Sequence, residues 1–317
     1  MSEQPIRVKM LNAQLSNEHV STLLQSDDNF NILMIQEPWM GTAATLHSDA
    51  TPEGDRQLGA PHNNMWEAHL PRHTTGQPCK SIIYTRKTLE RRFVIRNQLT
   101  HPLSNPCSVV IDIVEDDDIL VRLVNTYNPP PKPRRHDDGL SPRDSILKYL
   151  TDHDLDDNVP TILAGDFNTF AERWSIPPAT FSSWATRFCD WLDTHGFSLL
   201  NPLLTPTRRA MRESDRDSLL DLVFANEAVC WFGHAGLVEI SEAEAFGSDH
   251  NAVLFSILPS DHPSHIPSPS PAGYRAEDEQ QQAWSKTFGA TLPFEPGANA
   301  EEELSLDGAR PSETTEA

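Results

Sequence analysis

Thr161-Ile162-Leu163-Ala164-Gly165-Asp166-Phe167-Asn168 is where the fold of this chain is decided. Four residues of strand character run into a glycine, after which an acid and an amide stand two apart. Residues i and i+2 of an extended chain face the same side, so Asp166 and Asn168 are expected to project together from a strand end. An acid placed there takes a proton from a water, and an amide orients that water toward a phosphate. The competing reading is an Asx-rich turn that closes a buried strand. The stretch by itself favours neither.

Outward from it, polar residues end other apolar runs. Asn12 follows Val8–Leu11, Glu37 follows Ile32–Ile35, Tyr127-Asn128 follows Leu123-Val124, and Ser248-Asp249-His250 precedes Ala252–Phe255. Asp221 lies inside Leu219–Phe224. An ionised, unpaired carboxylate in such a run costs on the order of several kcal/mol, so it needs a partner, and an imidazole is the expected one. Taken singly, Tyr127 reads as a core or edge aromatic and His250 as a satisfied core histidine.

The 317 residues, 38% hydrophobic with seven Trp and thirteen Phe, are enough for a large globular core. The lack of any run of about 18 apolar residues argues against a transmembrane helix, and the N-terminus shows no signal-peptide pattern. A nuclear or cytoplasmic protein is expected. Cys79, Cys107, Cys189 and Cys230 are widely spaced and read as reduced core thiols. The net charge is −21; residues 260–317 hold 11 acids and three bases, which leaves −13 in residues 1–259. Nucleic-acid binders normally show a basic footprint, so tight, salt-resistant DNA binding by this chain alone is not expected. A divalent cation held by carboxylates would account for part of the acidity.

Strands are expected at Ile6–Met10, Ile32–Ile35, Ser81–Arg86, Phe93–Leu99, Ser108–Val114, Leu120–Thr126, Leu219–Ala225, Val229–Phe232 and Asn251–Leu258. Glu115–Asp118 reads as a hairpin turn and Pro129–Arg143 as a proline-rich loop. Helices are expected at Asn17–Gln25, from a Ser141/Asp144 N-cap pair to about His153, and over Phe181–Leu192, stopped by His195-Gly196. The aromatics of that last helix are assigned to core. Strand pairs with interspersed helices indicate stacked sheets rather than strict βαβ alternation. Residues 1–258 form one domain, 259–273 a Pro/Ser-rich linker, and 274–317 a short helix around Trp284 and Phe288 followed by an acidic, disordered tail.

Asn12, Gln36-Glu37-Pro38-Trp39, Asn125-Thr126-Tyr127-Asn128-Pro129-Pro130, Gly165-Asp166-Phe167-Asn168, Leu220–Phe224 and Ser248-Asp249-His250 follow the order and rough spacing of one family. The chain resembles the endonuclease/exonuclease/phosphatase superfamily, with its deoxyribonuclease-I-like fold. Within it, the motifs look most like the endonuclease of fungal non-LTR (LINE-type, Tad-like) retrotransposons. The resemblance spans about residues 6–258 and implies a four-layered α/β/β/α sandwich of two mostly antiparallel sheets flanked by helices. It implies Mg²⁺ or Mn²⁺ held by Glu37, Asn12 and Asp249, water activation by Asp166, and orientation by Asn168. It further implies phosphate contact by Tyr127, an imidazolium at His250 held by Asp221, and substrate contact by Asn128. Arg208-Arg209 with Arg212 lies between the Asp166 and Asp221 motifs, where Arg208 can meet a phosphate backbone. Hard oxygen donors agree with such a cation.

The implied activity is DNA nicking that leaves a 3′-hydroxyl, with no protein partner and no membrane. The alternatives are a phosphomonoesterase or lipid phosphodiesterase of the same superfamily, and a non-catalytic remnant. Thr169–Trp174 lacks the histidine pair that many retroelement endonucleases carry before the Trp. The reverse transcriptase that normally shares the polyprotein is absent, so a truncated or isolated copy is expected.

Overall fold

The computed structural model describes residues 4–26, 29–40, 60–71, 79–130, 142–175, 183–212, 215–231 and 234–259. In chain order the elements are β1 (Ile6–Asn12), α1 (Asn17–Ser26), β2 (Ile32–Gln36), β3 (Trp66–His69), β4 (Ser81–Arg86), β5 (Val94–Asn97), β6 (Ser108–Glu115) and β7 (Asp118–Tyr127). There follow α2 (Pro142–Thr151), β8 (Thr161–Asp166), α3 (Ser183–Thr194), β9 (Ser198–Leu199), β10 (Asp221–Ala225), α4 (Glu227–Trp231), β11 (Glu239–Ser241) and β12 (Ala252–Ile257). The strands form two six-stranded sheets, ordered β11-β12-β1-β2-β4-β3 and β5-β6-β7-β8-β10-β9. Pairing is antiparallel except at β1/β2 and β7/β8.

Period-2 alternation builds the layers. Val8 and Met10 of β1, Ile32 and Met34 of β2, Leu123 of β7 and Ile162 and Ala164 of β8 share one cluster between the sheets. The intervening residues face outward. Leu33 and Ile35 join Val20, Leu23 and Leu24 of α1. Val124 and Leu163 join Leu147 and Leu150 of α2 and Ala185, Phe188 and Leu192 of α3. The result is the expected four-layered sandwich, and the aromatics of α3 are core: Phe188 stacks on Trp191 and meets Phe224 edge-on.

Three expectations change. Val229 lies in a helix, not a strand, because the Asn226 side chain accepts the Val229 N–H at 3.3 Å and starts α4 just after β10. Pro142 and Arg143 open α2 rather than end a loop, as suits proline in a first turn. The short strands β3, β9 and β11, two to four residues each, carry too little pattern to be read from sequence. Ser141, Phe181, Phe232 and the helix around Trp284 lie outside the described residues. Chain contacts separate Met1–Pro269 from Ser270–Ala317, and the latter lies wholly outside them. Among the described residues, no helix is long and apolar enough to cross a membrane.

Candidate active site

Strand register brings the polar strand ends together. In one sheet Tyr127 pairs with Asp166, and Asp166 with Asp221. In the other, Asn12 pairs with Gln36, and Gln36 with Ser81. Asn125 stitches the two rows: it accepts from Gln36 Nε2 at 2.5 Å and donates to the Ile35 and Ile82 carbonyls at 3.1 and 2.8 Å. A buried amide so fully used fixes how the sheets meet beside the site.

Gly165 permits the approach of β8 to β7. Its φ is 151°, and a Cβ there would stand 1.8 Å from the Thr126 carbonyl oxygen. The strand then stops at Asp166. Asn168 is left-handed at φ 44°, and its N–H donates to Asp166 Oδ1 at 3.0 Å while Nδ2 reaches Asp166 Oδ2 at 2.8 Å. An Asx turn, not an extended i, i+2 pair, therefore joins these residues. Both opening readings of the stretch describe one device, since the turn is what holds the amide against the acid.

Asp166 is wholly buried and also accepts from Asn12 Nδ2 at 2.9 Å. Burial, and next the Asp221 carboxylate beside it, raise its pKa, against the lowering influence of His250, Asn12 and the Asn168 N–H. Asp221 has the predicted partner: His250 Nδ1 lies 2.8 and 3.1 Å from its two oxygens. Burial alone would lower the His250 pKa, but the charge and hydrogen bond of Asp221, with Asp166 and Asp249 nearby, raise it to about 9. The Asp221 carboxylate thus favours the imidazolium and orients the ring through Nδ1, with Nε2 on its other side. Thr207 Oγ1 accepts the N–H groups of Leu220 and Asp221 at 3.0 and 2.9 Å, and Asn201 binds the Asp221 carbonyl at 3.0 Å.

Glu37 follows β2 in a left-handed conformation, φ 45°. Asn12 Nδ2 lies 3.4 Å from its Oε2, and the Tyr127 hydroxyl bonds to it. Burial, then this carboxylate, push the Tyr127 pKa up. Asp249 stands to one side, 3.7 Å from His250 Nε2, with Gln14 on Oδ1 and Arg208 Nε 3.4 Å from Oδ2. Asn128 departs from its expected place at the substrate. Its side chain is fully buried and donates to the Phe167 carbonyl at 2.7 Å, bracing the turn from beneath. Arg209 and Asp249 link through backbone, and the Arg209 guanidinium binds Glu242 and the Ser248 carbonyl, which ties it to the loop before His250.

Sequence reading did not single out Gln14, Asn201 or Thr207, whose roles depend on contacts from separate strands and loops. Gln36 and Asn125 stood inside quoted motifs without a role. The donor chemistry fits a hard divalent cation: the Glu37 and Asp166 carboxylates converge on Asn12 Nδ2, whose Oδ1 accepts the Gln14 N–H, and a cation would offset the burial and the neighbouring Asp221 charge that raise Asp166. Ligand-type atoms of Asp166, Asp221 and His250 lie within 4.8 Å of one another. The imidazolium clasping Asp221 makes that trio an acid–base pair with a neighbour rather than a ligand set.

A family profile described as endonuclease-reverse transcriptase matches residues 121–254. No curated protein sequence matches. Among solved structures, the endonuclease domain of TRAS1, a telomere-specific non-LTR retrotransposon, is 19% identical at a TM-score of 0.58, covering 80% of this chain and 98% of that one. An AP endonuclease from Leishmania major is 13% identical, TM-score 0.54, with 80% and 88% covered. An AP endonuclease from Archaeoglobus fulgidus is 11% identical, TM-score 0.53, with 80% and 99% covered. Two six-stranded sheets between helices are the fold shared with these solved structures, and the match to the endonuclease-reverse transcriptase profile takes in the turn and the Asp221–His250 pair.

Proposed function

We propose that the chain is a Mg²⁺- or Mn²⁺-dependent phosphodiesterase that nicks DNA and leaves a 3′-hydroxyl. One observation carries the reading: Asn12, Glu37, Tyr127, Asp166, Asn168, Asp221 and His250 form a single connected polar constellation where two sheets meet. Glu37 and Asn12 would hold the cation, which neutralises charge on the phosphate when bound. Asp166, held by Asn12 and by the Asn168 amide, accepts a proton from the attacking water. Asn168 orients that water or the phosphate. The Tyr127 hydroxyl donates to a phosphate oxygen. His250, its Nδ1 occupied by Asp221, offers Nε2–H to the charge that develops on the phosphorane. Asp249 completes the acidic side, and Arg208, at the rim beside it, meets the DNA backbone. Four free cysteines accord with action in the nucleus or cytoplasm.

The test is conversion of supercoiled plasmid to open circle with Mg²⁺ and with EDTA, for the native chain and Asp166→Ala. Metal-dependent nicking lost in the variant is expected. A folded native protein that leaves plasmid intact but cleaves phosphorylated small molecules would replace this reading with a phosphatase.

A further inference from the structure

Lys9 sits in β1 with its side chain fully buried, three residues before Asn12. Its Nζ lies 2.6 Å from Glu244 Oε2 and over the rings of Phe30 and Phe246, at 4.6 and 4.8 Å. A buried ammonium is costly, and a buried pair is often no better for stability than apolar residues of the same volume. What it supplies beyond an apolar side chain is registry: it can accept only one arrangement of its partners.

Two of those partners, Glu244 and Phe246, belong to the loop that delivers His250. Glu244 lies in the helical turn Ala243–Ala245, and Phe246 follows in a left-handed conformation, φ 51°, unfavourable for a bulky residue. Ser248 N–H then donates to the Ala245 carbonyl at 3.0 Å and its Oγ donates to the Asn12 carbonyl at 2.9 Å. The same Oγ accepts the His250 N–H at 3.1 Å. Arg209 grips this loop as well, through Glu242 and the Ser248 carbonyl.

We propose that Lys9 is a positioning residue for His250, holding Glu244 and Phe246 so that Ser248 docks on Asn12 and sets the imidazole against Asp221. The inference rests on the proposed phosphodiesterase role only for its kinetic consequence. Lys9 touches no reacting atom. Removal of its charge releases the half-exposed Glu244 to water and frees Phe246 to leave its strained angle.

The experiment pairs Lys9→Met, which keeps the stem length, with Glu244→Gln at the accessible end of the same contact. In plasmid nicking, kcat is expected to fall about tenfold, equivalent to about 1.4 kcal/mol, with KM within about twofold and no further loss when Lys9→Met is added to His250→Ala. In histidine-¹⁵N-labelled protein, the His250 ring signals should shift or broaden in both variants while the other histidines stay put. This readout needs no activity, so it decides the positioning role even where plasmid is not cleaved. Unchanged His250 signals in both variants, or equal losses in kcat and in melting temperature, overturn the proposal. Should Lys9→Met not fold, Glu244→Gln decides alone by the same two readouts.

Discussion

Glu37 and Asn168 hold left-handed backbone angles, φ 45° and 44°, and both belong to the polar constellation. Asparagine tolerates that conformation, whereas for glutamate it costs about 1 kcal/mol. Strain at such a place is sustained by its surroundings: the Glu37 N–H donates to Lys80 O at 2.9 Å and its carbonyl accepts from Leu15 N at 2.8 Å. Glu37→Gly should therefore keep its stability within about 1 kcal/mol of the native chain and lose nicking; urea denaturation beside the plasmid assay reads both. A loss above about 2 kcal/mol would show that the Glu37 side chain is structural. Gly165→Ala should behave oppositely. With a Cβ placed 1.8 Å from a backbone oxygen, β7 and β8 must part, and a destabilisation of about 4 kcal/mol or more is expected. A Gly165→Ala variant that melts like the native chain would refute the close approach.

At the scale of elements, β3 was hidden from sequence reading yet carries a buried titratable group. His69 Nε2 lies 2.8 Å from Thr85 Oγ1 of β4, and burial lowers the His69 pKa to about 4. The folded state thus binds fewer protons than the unfolded state between about pH 4 and the ordinary 6.5. Stability should be full above pH 6.5 and fall as pH drops through this window, by about 3 kcal/mol from this residue. His69→Gln, which keeps a donor for Thr85 without a titrating ring, should flatten that part of the pH–stability curve. An unchanged acid slope would rule His69 out as its source. The strands with strong Ile and Val alternation were legible from sequence because burial on one face imposes period 2. By contrast, α4 depended on Asn226, a cap whose side chain also binds the Thr161 N–H at 2.9 Å across the sheet.

For the whole molecule, the charge of −21 opposes DNA phosphates, and among the described residues Arg208 and Arg209 each lie against a carboxylate, Asp249 and Glu242, which weakens their pull on the backbone. Binding of a fluorescent duplex under metal-free conditions should fall with salt at a log–log slope of about −2, reflecting roughly two phosphate contacts. A slope steeper than about −6 would mean an extended basic surface that grips many phosphates. The sequence by itself determined stacked sheets, through strand periodicity and apolar runs, and its family resemblance implied their four-layered arrangement. It also marked the polar residues at the strand ends, because a carboxylate such as Asp221 inside an apolar run demands a partner. Only the tertiary structure decided how they act together. Register set Tyr127, Asp166 and Asp221 in one row, and a left-handed Asx turn folded Asn168 onto Asp166. The same packing withdrew Asn128 into the core and tied Arg209 to the loop before His250. Those outcomes depend on which strand ends meet across two sheets, and such distances are fixed by packing between segments far apart in the chain, not by local pattern.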